Sequence, residues 1–455
     1  MDATVWTDFG PCVRVNEGGL LEIEGRTVVE LAREYGTPLF VISENTIRGR
    51  IRRMQKAFDD NYPNATIVCV GMKAQWGLAV RRVVAKEGAG GDAFGLGELT
   101  VAMMAGSDPS KIVLNGANKA EEALRAAIDT GVMIQVDHED ELAKVVELAG
   151  ELGKTARVSL RIRLPLNAIE EAVYVDPRYP EGISPTYWER TFKFGLDPES
   201  YFAEVERALV ADNISLEGVM YHGGIPRRAG YFREETEELI DMIGIVKQRF
   251  GWAPRYLDIG GGFVPERVGQ ETPPTIEDYA AVISDAMVSR CREHDLPVPV
   301  LLAEPGRYCL DSAGMWVVRV GSLKDDQNLA GKKWVYVDGN TNEMGDPFDP
   351  YNRVHHVVIA NDVYREGTEV VDIAGQTCNA ADVLVKAREL PAMRIGDILA
   401  FLDMGAYNES FACQSNAIPR SATVMVSEGR AAVVRRRETV ADVLARESVP
   451  SWLLA

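Results

Sequence analysis

The sequence has no uninterrupted apolar run of about 18 residues, so no membrane-spanning helix is expected from it. It also lacks paired cysteine spacing. Cys12, Cys69, Cys291, Cys309, Cys378 and Cys413 are scattered over 455 residues, a pattern of free thiols in a reducing compartment. Positive charge is scarce: 49 Lys plus Arg stand against 68 Asp plus Glu, a formal charge of −19. That balance argues against nucleic acid or an anionic membrane as partner. The opening residues, Met1 to Asp8, have neither a basic nor an apolar stretch, so a cytoplasmic protein is expected. Histidine is rare, and His355-His356 fall on an expected strand, where successive side chains face opposite ways. No metal site is expected. What is present is globular in proportion, 46% hydrophobic and 26% charged.

From about residue 45 to 310 a short β-rich run alternates with a helical stretch. The expected strands are 67–70, 92–94, 112–114, 133–136, 158–162, 216–221, 256–259 and 298–303. Between them apolar residues recur at three and four, as in 79–87, 120–127, 140–152, 201–211 and 234–249. Eight such units predict an α/β chain built on a (β/α)8 TIM barrel over residues 40–312. After about 315 the helical signals thin out. Residues 316–323, 333–337, 355–360, 368–373, 397–401, 422–426 and 431–436 read as strands, so residues 1–39 and 313–455 are expected to form a β-rich domain. Pro165 to Lys193 is too long for a simple connection. Its four prolines, three tyrosines and Trp188 suggest an ordered rim or lid.

In a barrel the functional side is the C-terminal end of the strands. The first strand runs into Gly71-Met72-Lys73. A lysine there is either a paired structural residue or an amine whose charge is weakened by burial, suited to attack a carbonyl. The sixth ends at His222-Gly223-Gly224, where the histidine is either a satisfied core residue or a ligand contact. The seventh ends at Gly260-Gly261-Gly262. Three glycines weaken packing and make sense if backbone N–H groups cradle an anion. The eighth ends at Glu304-Pro305-Gly306-Arg307, and the arginine fork suits a phosphate. Glu304 either bridges to Arg307 or pairs with a protonated ring nitrogen. A lysine, a phosphate cradle and an inward acid are the parts that pyridoxal 5'-phosphate needs.

With these residues the chain resembles the fold-III pyridoxal phosphate-dependent decarboxylases, the diaminopimelate and ornithine decarboxylase family, and most of all its diaminopimelate branch. The likeness covers about residues 35–447. Gly71-Met-Lys73-Ala resembles the cofactor-lysine motif, and Gly90-Gly-Asp-Ala-Phe-Gly-Leu-Gly97-Glu98 the next strand and helix start. Lys193-Phe194-Gly195-Leu196 also has a counterpart. The resemblance implies that His222 stacks on the cofactor ring, that Gly260–Gly262 and Arg307 bind its phosphate, and that Glu304 meets the pyridine nitrogen. Gly375-Gln-Thr-Cys378-Asn379 resembles a Cys-acid motif, and Gly405-Ala-Tyr407 one whose tyrosine touches the phosphate. The resemblance further implies an amino-acid substrate and a homodimer with shared active sites, Cys378 reaching into the partner's site to donate a proton or to position the proton donor. Lys73, Cys378 and His222 are the catalytic candidates.

The chain departs from this pattern in three places. Asn379 stands where the family has Glu or Asp. The segment after Val337-Asp338-Gly339 has no arginine, and Asp346 falls at its position. Ile225 replaces a serine, with Arg227 nearby to compensate. These changes suggest a modified or conjugated amino acid, of siderophore or natural-product type, rather than meso-diaminopimelate. The alternatives are diaminopimelate itself, a racemase or epimerase, and a catalytically silent homologue acting by protein binding.

Overall fold

A computed structural model describes residues 12–164, 193–224, 229–266, 273–326, 332–345 and 355–454. They divide into two compact units. One spans Ile47–Glu266 and continues to Cys309; the other takes the residues up to Thr46 and from Leu310 on. The strand Leu39–Ser43 straddles the expected boundary at residue 40 and belongs wholly to the second unit. Five buried apolar-rich residues, LFVIS, fit a central strand, and they pair with Gly314–Asp326 and Ala422–Ser427.

The first unit is a closed barrel of eight parallel strands. They are Thr66–Gly71, Gly90–Phe94, Ile112–Asn115, Met133–Val136, Ala156–Arg161, Ile214–Met220, Tyr256–Asp258 and Val300–Ala303. These are the eight runs expected from the sequence, shifted by a residue or two at their ends. Strands buried on both faces read as continuous Val, Ile and Leu runs, which is why they stand out. The helices around them carry explicit start signals. Thr275 and Asp278 form a reciprocal capping box for Ile276–Glu293, and Asp197 caps Pro198–Val210 with the proline in its first turn.

The second unit is a nine-stranded sheet with a small three-stranded sheet near its start. Its long strand Gly314–Asp326 pairs with three others, and Trp316 on it is fully buried between Phe40 and Phe401. The strand Val383–Leu390 was not expected, because its Lys-Ala-Arg-Glu sequence favours a helix. Pairing with Glu369–Ala374 overrides that preference, with register shifts along the ladder. The Pro165 to Lys193 segment lies outside the described residues up to position 192. Among the described residues no helix is long and apolar enough to cross a membrane.

Barrel closure makes one glycine indispensable. A Cβ on Gly90 would lie 1.7 Å from the Lys111 carbonyl oxygen, in the turn just before the adjoining strand, whereas one on Gly49 would meet nothing within 4 Å. Gly90→Ala should therefore destabilise the protein by about 3 kcal/mol or more. Gly49→Ala, inside the helix Glu44–Asn61, should gain about 0.5–1 kcal/mol. Thermal unfolding of the two variants checks both signs.

Candidate active site

The turn after the first strand carries Lys73, and a buried arginine fixes that turn. The Arg81 guanidinium donates to the carbonyls of Val70 at 2.6 Å, Gly71 at 3.3 Å and Gln75 at 3.5 Å. Burial lowers its pKa to about 10, which leaves it charged at neutral pH with backbone carbonyls as its acceptors. Lys73 itself forms an ion pair with the fully buried Asp92 of the second strand and sits 4.9 Å from the Phe94 ring centroid. A second lysine shows the contrast. Lys119 is buried and donates to two carbonyls and to Glu141 at 2.7–2.8 Å, a satisfied structural cation. Lys73 keeps 37% of its side chain accessible, as an amine that must reach a carbonyl requires.

Five further strand ends meet around Asp92. The Asn115 side-chain Nδ2 donates to Asp92 Oδ1 at 2.7 Å and to Glu304 Oε1 at 2.8 Å. Gln135 donates to Asp258 Oδ2 at 3.0 Å, and the Gly260 N–H donates to Asp258 Oδ1 at 2.8 Å. Arg161 lies 3.9 Å from Asp137 and 4.4 Å from the Phe194 ring centroid. Burial pushes the Glu304 carboxyl well above its usual range, reinforced by Asp258 and Asp92. The same burial raises Asp258 to about 7.

The glycine loop fits closely against these acids. Gly260 has φ +67°, and a Cβ there would sit 2.7 Å from the His222 side chain. A Cβ on Gly261 would sit 2.5 Å from the Glu304 carbonyl oxygen. Only glycine lets the seventh and eighth loops approach in this way. His222 and Gly260–Gly262 are thus adjacent, Glu304 abuts the same loop, and Arg307 opens the short helix Arg307–Leu310 that follows.

Cys378, Asn379 and Tyr407 belong to the sheet unit. Cys378 is exposed, and its sulfur accepts from Asn416 Nδ2 at 3.2 Å while its N–H donates to Asn416 Oδ1 at 3.1 Å. The loop is shaped by a buried acid, Asp382, which accepts from the Thr341 and Thr377 N–H groups at 2.8 Å and the Thr377 hydroxyl at 2.7 Å. Asn379 Oδ1 accepts from the Ala381 N–H at 2.9 Å. Tyr407 has φ +60° and stands 6.2 Å from the Phe411 ring centroid. Arg227 and Asp346 lie outside the described residues.

Sequence reading missed Asp92, Asn115, Arg161, Asp258 and Arg81 as parts of the site. The signal was available for four of them: a polar residue at or near the end of an otherwise apolar strand.

The chain matches the family described as pyridoxal-dependent decarboxylase, pyridoxal binding domain, over residues 45–311, and the corresponding C-terminal sheet domain over residues 307–405. It belongs to the pyridoxal-dependent decarboxylases, and it is a pyridoxal 5'-phosphate-dependent amino-acid decarboxylase. A diaminopimelate decarboxylase of Methanothermobacter thermautotrophicus is 35% identical over 98% of this chain and 99% of its own. The crystal structure of the Methanocaldococcus jannaschii diaminopimelate decarboxylase superposes with a TM-score of 0.89 at 31% identity, covering 98% of this chain and 99% of that one. A Vibrio vulnificus lysine/ornithine decarboxylase complexed with putrescine shares the fold, at 24% identity and a TM-score of 0.72 over 88% of this chain and 98% of that one. The residues present fit the cofactor: an accessible lysine beside a buried acid, a second buried acid, and a glycine loop with no room for side chains.

The buried carboxyls have a consequence for stability. Their folded pKa values are raised above the ordinary 3.8 and 4.5, so they favour the fold at low pH. That contribution is lost as pH rises, through about 7 for Asp258, and the sign is the same for Glu304. In the cofactor-free protein, the melting temperature of wild type relative to Glu304→Gln should fall as pH rises from about 5 to about 8. A constant difference across that range would contradict the assignment.

Proposed function

We propose that the protein decarboxylates an amino acid other than meso-diaminopimelate, a modified or conjugated one of siderophore or natural-product type. One observation carries this: the Cys378 loop presents Asn379, a neutral amide already engaged with the Ala381 N–H, where the family pattern has an acid. The described residues Asn340–Gly345 contain no arginine either. A distal ammonium and carboxylate would each lose the partner the family pattern supplies, at a cost of several kcal/mol for a buried charge left unpaired. The second reading, diaminopimelate decarboxylase, is favoured by the full-length similarity to enzymes of that name.

When bound, pyridoxal phosphate supplies an electron sink for the pair released as the Cα–carboxylate bond breaks. Lys73 would hold the cofactor covalently, and in its absence Asp92 is the buried counter-ion of the free amine. Gly260–Gly262 and Arg307 would hold the phosphate, with Tyr407 as a further contact. His222 would lie against the ring, and Glu304 would keep the ring nitrogen protonated. Cys378, brought by a second copy of the chain in a homodimer, delivers the proton that replaces CO2 at Cα. Asn416 orients its sulfur. Asn379, Asp346 and Arg227 shape the substrate pocket. Glu304 at the ring nitrogen disfavours a racemase, because a strong electron sink suits decarboxylation. Retention of Lys73, Arg307, Tyr407 and Cys378 disfavours a silent homologue.

CO2 release measured over D- and L-amino acids and carboxylated conjugates, with racemisation followed in parallel, tests the reading. Turnover of a conjugated substrate with meso-diaminopimelate inert is expected. Robust turnover of meso-diaminopimelate overturns the substrate assignment, and racemisation without CO2 overturns the reaction. Cys378→Ala should lower kcat by about 10²–10⁴ and leave the absorbance of the bound cofactor unchanged. Full activity in that variant would remove the cysteine from the chemistry.

A further inference from the structure

The two side-chain amides at the barrel mouth are not equivalent. Gln135 donates to Asp258 at 3.0 Å. Asn115 donates from one nitrogen to two acids, to Asp92 Oδ1 at 2.7 Å and to Glu304 Oε1 at 2.8 Å. Asn115 closes the third strand, Asp92 lies on the second, and Glu304 follows the eighth. The barrel order runs eighth, first, second, third, so the amide reaches past the end of the first strand, whose turn bears Lys73. Asp92 is in turn the ion-pair partner of Lys73. One planar group thus joins the lysine to the acid. Asn115 is 1% exposed, and its Oδ1 has no hydrogen-bond partner among the described residues. A buried acceptor left without a donor is costly. The reversed amide would cost more, because its oxygen would then face the Asp92 carboxylate that Lys73 pairs with. The two acids therefore dictate the orientation, and the chain tolerates an orphan acceptor to keep both N–H groups on them.

We propose that Asn115 is a positioning residue for the cofactor: it ties the lysine end of the site to the acid end and fixes the separation between them. Pyridoxal phosphate is a rigid ring with its aldehyde carbon para to the ring nitrogen. A lysine and an acid that serve those two groups have to be held at one matching distance. The two N–H bonds of an amide lie in one plane at a fixed angle, and hydrogen bonds to carboxylates are the short, strong kind. Asp92, held through Oδ1, keeps Oδ2 on the Lys73 amine. Glu304, held through Oε1, is also fixed at its backbone, where its N–H donates to the Gly260 carbonyl at 2.9 Å. This role for Asn115 rests on the placement of the ring nitrogen at Glu304, and the experiment separates the two.

Three ligands, bound to the full-length cofactor-free protein and followed by equilibrium dialysis, read the two ends separately. Pyridoxal phosphate uses both. 4-Deoxypyridoxine phosphate lacks the aldehyde that Lys73 attacks. 1-Deazapyridoxal phosphate carries a C–H in place of the ring nitrogen. Wild type should prefer pyridoxal phosphate to either analogue. Asn115→Leu, of similar shape but with no donor, should reduce both preferences by about tenfold or more, since each end loses a charged hydrogen bond. Asn115→Ser has one hydroxyl proton, so it serves one acid at most and should lose at least one of the two preferences. It decides the matter should Asn115→Leu fold poorly. An asparagine needed only for packing would weaken all three ligands by the same factor and leave the preferences intact. That result in Asn115→Leu, loss of only one preference there, or retention of both in Asn115→Ser overturns the proposal. Glu304→Gln tests the ring placement, and should reduce the preference over the deaza analogue at least as much as Asn115→Leu does. If it keeps that preference in full, or wild type shows none, the ring placement falls. If it loses the preference while Asn115→Leu keeps both, the placement stands and the role of Asn115 falls.

Discussion

Two carboxyl groups, Glu304 and Asp258, are buried at the barrel mouth with amide N–H groups as their hydrogen-bond donors, and the barrel mouth is arranged around that constraint. Asn115 and Gln135 supply the amide donors from the third and fourth strands. Gly260 supplies a backbone donor, and Gly261 leaves room for the Glu304 backbone. These residues sit at the ends of the third, fourth, seventh and eighth barrel strands or in the turns directly after them. Only a closed parallel barrel brings so many strand ends together, because parallel strands present all their C-termini at one rim. Fold and chemistry are coupled through the desolvation that the closed barrel imposes.

The cations around the rim divide by the same logic. Arg81 and Lys119 spend their donors on carbonyls and on one glutamate, and they hold backbone in place. Lys73 has the buried counter-ion Asp92 and an accessible amine. In the sheet unit an acid again does the shaping. Asp382 gathers three donors from Thr341 and Thr377, and so fixes the loop that exposes Cys378. A net charge of −19 says nothing of this, since the local pairing of each buried group decides what it can do.

Much of the fold was legible in the sequence because most doubly buried strands are short apolar runs that alternate with helical patterns. Val383–Leu390 escaped because its charged residues suit a helix and only cross-strand pairing makes it a strand. Leu39–Ser43 lies across the expected domain boundary, and sequence periodicity cannot say which partner strand an apolar run will choose. In the site, Lys73, His222, Gly260–Gly262, Glu304 and Arg307 were visible because they follow strands directly. Asp92, Asn115, Arg161 and Asp258 were hidden by their position within or at the last residue of a strand. A single polar residue there looks like ordinary variation until the closed barrel shows which others face it.

The central claim is that Lys73, and no other lysine, carries the cofactor. Reconstitution of the protein with pyridoxal 5'-phosphate, borohydride reduction and peptide mapping by mass spectrometry tests it most directly. The account predicts the reduced pyridoxyl adduct on the peptide bearing Lys73, with the buried Lys119 unlabelled. A stoichiometric adduct on another lysine, or none at Lys73 in protein that has bound the cofactor, would contradict it.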